Sequence, residues 1–325
     1  MTEKIICNKS DLTAIADVVR NAANISASYY TSQLAGAVRD CIGIGSENVA
    51  KGIIDGSITE INDNIVTNIK EGAFMDCNSL ITASFPACTS IGSSAFFYCS
   101  ALTSISFPLC NIIRPSAFTG CKNLIEVNLP QCSHVQTAAF MSCTKLFYAD
   151  FPSCSYIGNS AFKSCTSLTS INFPICKSIG SDAFSNCTSL KEISFLKCGV
   201  IGDCAFYSCY NLETALIRNS NAVSIYSSAF YKCTDLLNAE IEGSSISIAS
   251  YAFYSCKNLM SLYIKCLSGI ASLRNSNAFY YTPMSNSTYT GSFGSIYVPA
   301  SLVSKYKTAT YWSTYSSRIT AIPED

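Results

Sequence analysis

The chain carries little charge and has no excess of either sign. Of its 325 residues 13% are charged, and 21 basic side chains balance 21 acidic ones. A nucleic-acid-binding protein needs a basic face, so this balance disfavours a nucleic-acid partner.

No apolar run approaches the roughly 20 residues that cross a bilayer, and residues 1–10 lack the apolar core of a secretory signal. We therefore expect no transmembrane segment, and a protein that is cytoplasmic or is exported by a non-classical route.

Groups that carry catalysis are scarce. The only histidine is His134, and any Ser-His-Asp or Cys-His machinery would have to use it. Cys132 is near it in sequence, but its place in a regular series marks it as a core residue. Glycine-rich nucleotide loops, HExxH and Cys-x-x-Cys are all missing. We predict that the protein is not an enzyme and has no catalytic residues, no cofactor and no metal site.

Cysteine, in contrast, is abundant and regularly spaced. Of the 19 cysteines, those from Cys77 to Cys209 include an unbroken series with a step of 11 residues. No metal-binding knuckle has that spacing, and a constant step places each cysteine at a fixed position of a repeating unit. The series predicts buried, reduced thiols that act as small hydrophobic groups. Cys7, Cys41, Cys204 and Cys266 lie off this series and are the expected reactive cysteines.

An Ala-Phe dipeptide defines the repeat. Its first seven copies are 22 residues apart, and the next three follow at steps of 24, 23 and 26. Within one unit, Leu102, Ile105 and Phe107 have the LxxLxL spacing that places a short strand against a core. Pro108 cannot donate to a strand ladder and should end that strand. The apolar spacing from Ser93 to Leu102 predicts one short α or 3₁₀ turn on the opposite side.

These residues resemble the BspA-like class of bacterial leucine-rich repeats, whose pattern is I-G-x-x-A-F-x-x-C-x-x-L followed by a strand. The resemblance extends over roughly Ile58 to Ile322. It implies a leucine-rich-repeat solenoid (α/β, mainly parallel β) that forms a right-handed coil of about ten repeats of 22–26 residues. Members of this class are mostly surface or secreted proteins that engage host proteins, other bacteria or matrix.

Late repeats depart from this pattern. Leu196, Arg218, Glu242 and Lys265 replace the proline, and Thr282 replaces a cysteine. We expect these repeats to be looser in shape.

The two ends of the chain differ from the repeats. We divide the sequence into a helical N-terminal module (1–45), repeats (46–294) and a C-terminal cap (295–325). The cap should contain a last strand from Ile296 to Val298, a short helix from Ala300 to Thr308, and Trp312 over the open end of the core.

The N-terminal module has two amphipathic segments, which end near Ala23 and Cys41 and form a helical hairpin before a Gly-Ser linker. It resembles a short module at the start of prophage-encoded structural proteins. The resemblance implies a possible virion component, such as a tail-associated or host-attachment protein. These helices are also candidates for self-association.

Because the sequence offers no catalytic site, we consider the surface of the repeats as the functional region. The outward positions of the strands are mostly small and polar, but several larger or charged side chains interrupt them. We predict a non-catalytic adhesion module that binds a protein or glycan ligand through this face. The candidate residues are Glu126, Tyr148, Asp150, Glu192, Leu216, Glu240 and Tyr263 on the strands, with Tyr280 and Tyr281 in an aromatic cluster that also includes Phe279, Pro283, Met284 and Tyr289. The alternative is that the aromatic residues pack beside the cap.

Overall fold

A computed structural model describes residues 57–285 and 293–324 of the chain. The predicted N-terminal hairpin, its linker and its self-association therefore concern residues outside the described ones, as do Cys7, Cys41 and Tyr289. In the described part of the chain, no helix is both long and apolar enough to cross a membrane.

The described repeats fold as a parallel β-solenoid, in which a longer strand alternates with a very short one. The strands are, in chain order, β1 (Glu60–Asn62), β2 (Asn68–Ile69), β3 (Thr82–Ser84), β4 (Ser90–Ile91), β5 (Ser104–Ser106), β6 (Ile112–Ile113), β7 (Glu126–Asn128), β8 (His134–Val135), β9 (Tyr148–Asp150), β10 (Tyr156–Ile157), β11 (Ser170–Asn172), β12 (Ser178–Ile179), β13 (Glu192–Phe195), β14 (Val200–Ile201), β15 (Thr214–Arg218), β16 (Val223–Ile225), β17 (Asn238–Gly243), β18 (Ile246–Ile248), β19 (Ser261–Cys266), β20 (Ser272–Leu273), β21 (Ser295–Val298) and β22 (Ile319–Ala321). Every pairing between them is parallel.

These strands form two faces. The odd-numbered strands and β22 make the first face, which consists of sheets β1-β3-β5, β7-β9-β11 and β13-β15-β17-β19-β21-β22. The even-numbered strands from β2 to β20 make the second face, one continuous sheet of ten strands. The first face thus has twelve strands rather than about ten, because β1 precedes the first Ala-Phe dipeptide and β22 belongs to the C-terminal end. The right-handed sense of the coil stays a prediction.

The third side, here called the turn face, carries the Ala-Phe dipeptides and contains no helix in the described repeats, so the predicted helical turn is wrong. Ser94 and Tyr98 adopt positive φ angles of 53° and 55°, which interrupt any helix. The N–H groups of Ser94, Phe96 and Tyr98 instead donate to carbonyls of the next repeat at 2.7–2.9 Å. Alternate backbone N–H groups therefore link one repeat to the next, and those between them donate to the carbonyl three residues earlier in the same turn.

The glycine before the turn in several repeats allows a close approach and is not explained by its φ angle, although Arg114 and Gln136 hold the same position in other repeats. At Gly180 an added Cβ would lie 2.6 Å from the backbone nitrogen of Asn159 and 2.7 Å from the carbonyl carbon of Gly158. Gly180 is not among the residues with positive φ. A glycine here lets two neighbouring repeats pack backbone against backbone.

The interior is built from columns of identical side chains. From Phe96 to Phe253 the phenyl rings of successive Ala-Phe dipeptides stack with centroids 5.0–5.3 Å apart. The cysteines of the series from Cys88 to Cys209 are all buried, which confirms their predicted place in the core, whereas Cys77 is half-buried. None of the 17 described cysteines is in a disulfide, and their reduced state stays a prediction. The Cys143 thiol donates to the Phe118 carbonyl of the preceding repeat at 3.1 Å, and seven other cysteines at this position bond in the same way.

The late repeats are not looser. Where proline is replaced, the strands lengthen from three residues in β11 to six in β17 and β19. Arg218 and Glu242 are register partners, as are Glu242 and Lys265. Each of them has the N–H that proline lacks, so the parallel ladder continues through this position.

The C-terminal end closes the core. After β21 come a 3₁₀ helix (Ala300–Leu302), helix α1 (Val303–Thr308), a second 3₁₀ helix (Trp312–Arg318) and β22. Trp312 is buried and donates from Nε1 to the Ala271 carbonyl at 2.7 Å, as expected for a residue that covers the open end. The prediction that β21 is the last strand is wrong, because Ile296 of β21 pairs with Ile319 of β22 and both are buried.

Candidate binding surface

The first face presents side chains in two straight columns. In β9, Ala149 points into the core, whereas Tyr148 and Asp150 point outward and are half-buried. Tyr148 is in register with Glu126 and Asp150 with Asn128, so equivalent positions lie one strand spacing apart. Neighbouring members of a column are therefore about 4.8 Å apart on a rigid support.

Two exposed apolar residues lie beside these columns, and sequence reasoning missed them. Phe147 is 55% exposed and Ile125 is 52% exposed, although both types are usually buried. The Phe147 N–H donates to the Ile125 carbonyl at 2.7 Å, so the two residues occupy equivalent positions in adjacent repeats. The signal was present in the sequence, because Ile81, Leu237 and Met260 hold the same repeat position and are exposed too.

Together with four of the predicted residues they form one surface region. We call it the central patch: Ile125, Glu126, Phe147, Tyr148, Asp150 and Glu192. Glu126 and Glu192 are exposed. Asp150 accepts a hydrogen bond from Asn172 at 2.7 Å. Burial and then the nearby Asp150 carboxylate raise the pKa of Tyr148.

The carboxylates of the central patch differ from those near the C-terminal end. Among the described residues, no ion pair involves Glu126, Asp150 or Glu192. Glu240, in contrast, lies 2.7 Å from Arg218 Nη2 and 3.1 Å from Lys265 Nζ. Burial alone would raise the pKa of Glu240, but the hydrogen bonds from both cations hold it below its usual value.

The other predicted residues on the late strands are also engaged within the protein. Tyr263 stacks on Tyr297 of β21 with ring centroids 4.6 Å apart. Leu216 is half-buried between Ser194 and Glu240, its register partners. Internal partners therefore engage Glu240 and Tyr263, whereas Leu216 lies at the edge of the central patch, on the strand next to Glu192.

The predicted aromatic cluster after the last Ala-Phe dipeptide divides into two parts. Phe279, Pro283 and Met284 are buried, so their assignment to a surface cluster is wrong. Tyr280 is half-buried and Tyr281 is exposed.

Tyr281 extends a row of tyrosines on the turn face that the sequence analysis did not identify. We call Tyr207, Tyr231, Tyr254 and Tyr281 the tyrosine strip. The Tyr207–Tyr231 and Tyr231–Tyr254 rings stack at 5.0 and 4.7 Å, and Tyr281 meets Tyr254 edge to face at 5.2 Å. The signal was again periodic, because four consecutive repeats read Ala-Phe-Tyr, and in the fourth the next residue, Tyr281, joins the row.

The residues considered for chemistry are separated by the fold. His134 is exposed on the second face, with Nδ1 2.9 Å from Ser133 Oγ. The Cys132 thiol is buried and donates to the backbone carbonyl of His134, and burial raises its pKa. Cys266 is buried, which argues against its expected reactivity, whereas Cys204 is half-buried. No group of three metal-ligating side chains occurs in the described part of the chain.

The fold and its surface define a class, a solenoid of leucine-rich repeats. A family model described as BspA type Leucine rich repeat region matches residues 54–169 and 155–286. The chain belongs to this family. No curated protein matches it in sequence.

Solved structures of bacterial leucine-rich-repeat proteins are similar to this chain. A leucine rich cell surface protein from Faecalibacterium prausnitzii is 19% identical, with 81% of this chain and 86% of that chain covered and a TM-score of 0.47. The T. pallidum Leucine Rich Repeat protein is 23% identical, with 60% and 72% covered and a TM-score of 0.32. An internalin from Listeria monocytogenes is 12% identical, with 91% and 98% covered and a TM-score of 0.35.

Proposed function

We propose that the protein binds another macromolecule, a protein or a glycan, through its first face and without chemical turnover. Repeat proteins of this family are generally non-catalytic binding modules. We also propose that this binding serves adhesion at a cell surface. The observation that carries the proposal is the exposure of Phe147 and Ile125 beside Tyr148 on a regular sheet.

Exposed apolar groups in a cluster, surrounded by polar residues, are typical of a surface that a partner covers. Tyrosine and phenylalanine supply large contact areas with few rotatable bonds, and aromatic residues often dominate the energy of an interface. Strand β9, which carries Tyr148, pairs with both β7 and β11, so little conformational freedom is lost when a partner binds there.

Protein and glycan arrays test this proposal. The wild-type protein is compared with a Phe147→Ser/Tyr148→Ser variant and with a Tyr156→Ser control on the second face. We expect the double variant to lose the signal of the bound ligands and the Tyr156 control to keep it. Binding that survives in the double variant, or that is lost only in the control, would place the site elsewhere.

A second candidate function, a tail-associated or host-attachment component of a prophage, rests on residues 1–45, outside the described part of the chain. It has a separate test in the genes that flank this one. Phage tail and lysis genes on either side would support it, and their absence would remove it.

A further inference from the structure

We propose that the central patch binds an extended protein segment with the pattern basic–x–apolar–x–basic, which lies along the solenoid axis. The inference rests on the proposed function and specifies its partner. Three features of the central patch carry it: charge, apolar exposure and spacing.

Charge favours a cationic partner. Glu126 and Glu192 project from the sheet with no ion pair in the described part of the chain, and Asp150 has only a neutral amide as its hydrogen-bond donor. A few strands away, Glu240 is neutralised within the protein by Arg218 and Lys265. Because these three carboxylates have no ion-pair partner among the described residues, charge complementarity favours a basic protein segment over a neutral glycan.

The exposed apolar side chains of the central patch favour a hydrophobic residue between the basic residues of the partner segment. Ile125 and Phe147 lie side by side, joined by a backbone hydrogen bond of 2.7 Å. Tyr148 follows Phe147 directly and stands between Glu126 and Ser170 in its column. An apolar side chain that enters from above can cover these groups while basic residues on either side reach the carboxylates.

The spacing indicates which pattern fits. Glu126 and Glu192 hold equivalent positions three repeats apart in the sequence, which corresponds to about 14 Å at a strand spacing near 4.8 Å. In an extended segment, residues i, i+2 and i+4 point to one side, and i to i+4 spans about 13–14 Å. Two basic side chains four residues apart therefore match the two glutamates, and the residue midway between them lies above the Tyr148 region.

Two synthetic peptides of identical composition test the pattern. One contains Lys-Ser-Phe-Ser-Lys between Gly-Ser flanks, and the other contains Lys-Lys-Ser-Ser-Phe between the same flanks. NMR titration measures the Kd of each for the full chain. We expect the first peptide to bind more tightly, and its affinity to fall as ionic strength rises.

Charge variants test the site. In a Glu126→Gln/Asp150→Asn/Glu192→Gln variant we expect the Kd of the first peptide to rise about tenfold, since each exposed pair contributes modestly. Glu60→Gln is the matched control, because Glu60 is an exposed carboxylate on the same face, in β1, and should leave the Kd unchanged. Circular dichroism checks that the variants are folded.

Equal Kd values for the two peptides, or an equal loss in the triple variant and the Glu60 control, would overturn the inference. A glycan that binds the first face and is unaffected by the triple variant would also overturn it, while the proposed function would stand. Loss of array binding in the Tyr156 control alone would remove the proposed function itself.

Discussion

At the residue scale, cysteine has two properties that a repeat core needs at once. It is small and apolar enough to stack in a column, and its S–H can donate weakly. The Cys143 thiol is buried and bonds to the Phe118 carbonyl, which also accepts the backbone N–H of Cys121. The thiol therefore occupies the second acceptor position of a buried carbonyl without the desolvation cost of a hydroxyl.

This arrangement predicts unequal thiol reactivity. The thiolate is the nucleophile, and burial raises the pKa of Cys143 and Cys165 far above neutrality. Cys204 is less buried, so we expect native-state iodoacetamide to label it before the ladder cysteines. Mass spectrometry of tryptic peptides reads the labelled sites, with Cys204→Ser as control. Early labelling of Cys143 in folded protein would be inconsistent with a closed core.

Some of these residues were predictable from the sequence and some were not. A step of 11 residues sufficed to assign the cysteine ladder to the core, because only a fixed place in a repeat gives a constant step. Cys266 lies off that series, and its burial follows from the lengthening of β19. Phe147 was missed because it lies at the bend before β9. There the in-and-out alternation of side chains along a strand does not predict whether a side chain faces the core or the solvent.

At the element scale, the loss of proline explains the change in the late repeats. The sequence showed that Arg218, Glu242 and Lys265 replace proline, but not that they would pair. Their N–H groups continue the ladder, and their charges form ion pairs with each other and with Glu240 across adjacent strands. Such cross-strand pairs depend on register, which becomes visible only once the strands are stacked.

The tyrosine strip is a second element that joins repeats, and its contribution can be measured. Tyr231 stacks on both Tyr207 and Tyr254. Because an aromatic pair contributes about 0.5–1.5 kcal/mol beyond its buried area, we expect Tyr231→Ala to lower the free energy of unfolding by about 1–3 kcal/mol. Denaturant unfolding measures it, with the exposed Tyr210→Ala as control. Equal effects of the two substitutions would show that the stacking contributes nothing.

The C-terminal cap should protect the last repeats in particular. Trp312 is buried, contacts Phe279 with ring centroids 6.0 Å apart, and hydrogen-bonds to the Ala271 carbonyl. We expect Trp312→Ala to cost about 3–5 kcal/mol, as for other large buried side chains. In a repeat protein this loss of stability passes from each repeat to the repeat next to it. Hydrogen exchange should therefore accelerate first in β19–β21 and last in β5 and β7; uniform acceleration would contradict local capping.

At the scale of the whole molecule, the buried thiols set an alkaline limit on stability. An ordinary thiol has a pKa of 9.0, whereas burial raises that of Cys154 to about 11 and that of Cys110 to about 12. The thiol pKa is higher in the folded state than in the unfolded state. Each buried thiol therefore contributes its full stabilisation below pH 9, and this stabilisation is lost as the pH rises from 9 towards the folded-state pKa. The loss is about 1.4 kcal/mol per pH unit for each such thiol.

Denaturant unfolding between pH 8 and the folded-state pKa values of 11 to 12 measures this effect. We expect a steep decline above pH 9, the pKa of an ordinary thiol. Cys110→Ala should reduce the slope by about 1.4 kcal/mol per pH unit. A free energy of unfolding that stays constant across this range would mean that the thiols are not desolvated in the folded state.

The most direct test of the central claim is hydroxyl-radical footprinting of the full chain with and without a ligand found on the arrays. If the first face binds, Phe147 and Tyr148 become protected when the ligand is added. Tyr156 on the second face and Tyr231 in the tyrosine strip keep their oxidation rates. Protection of Tyr156 or Tyr231, with Phe147 and Tyr148 unchanged, would contradict the account.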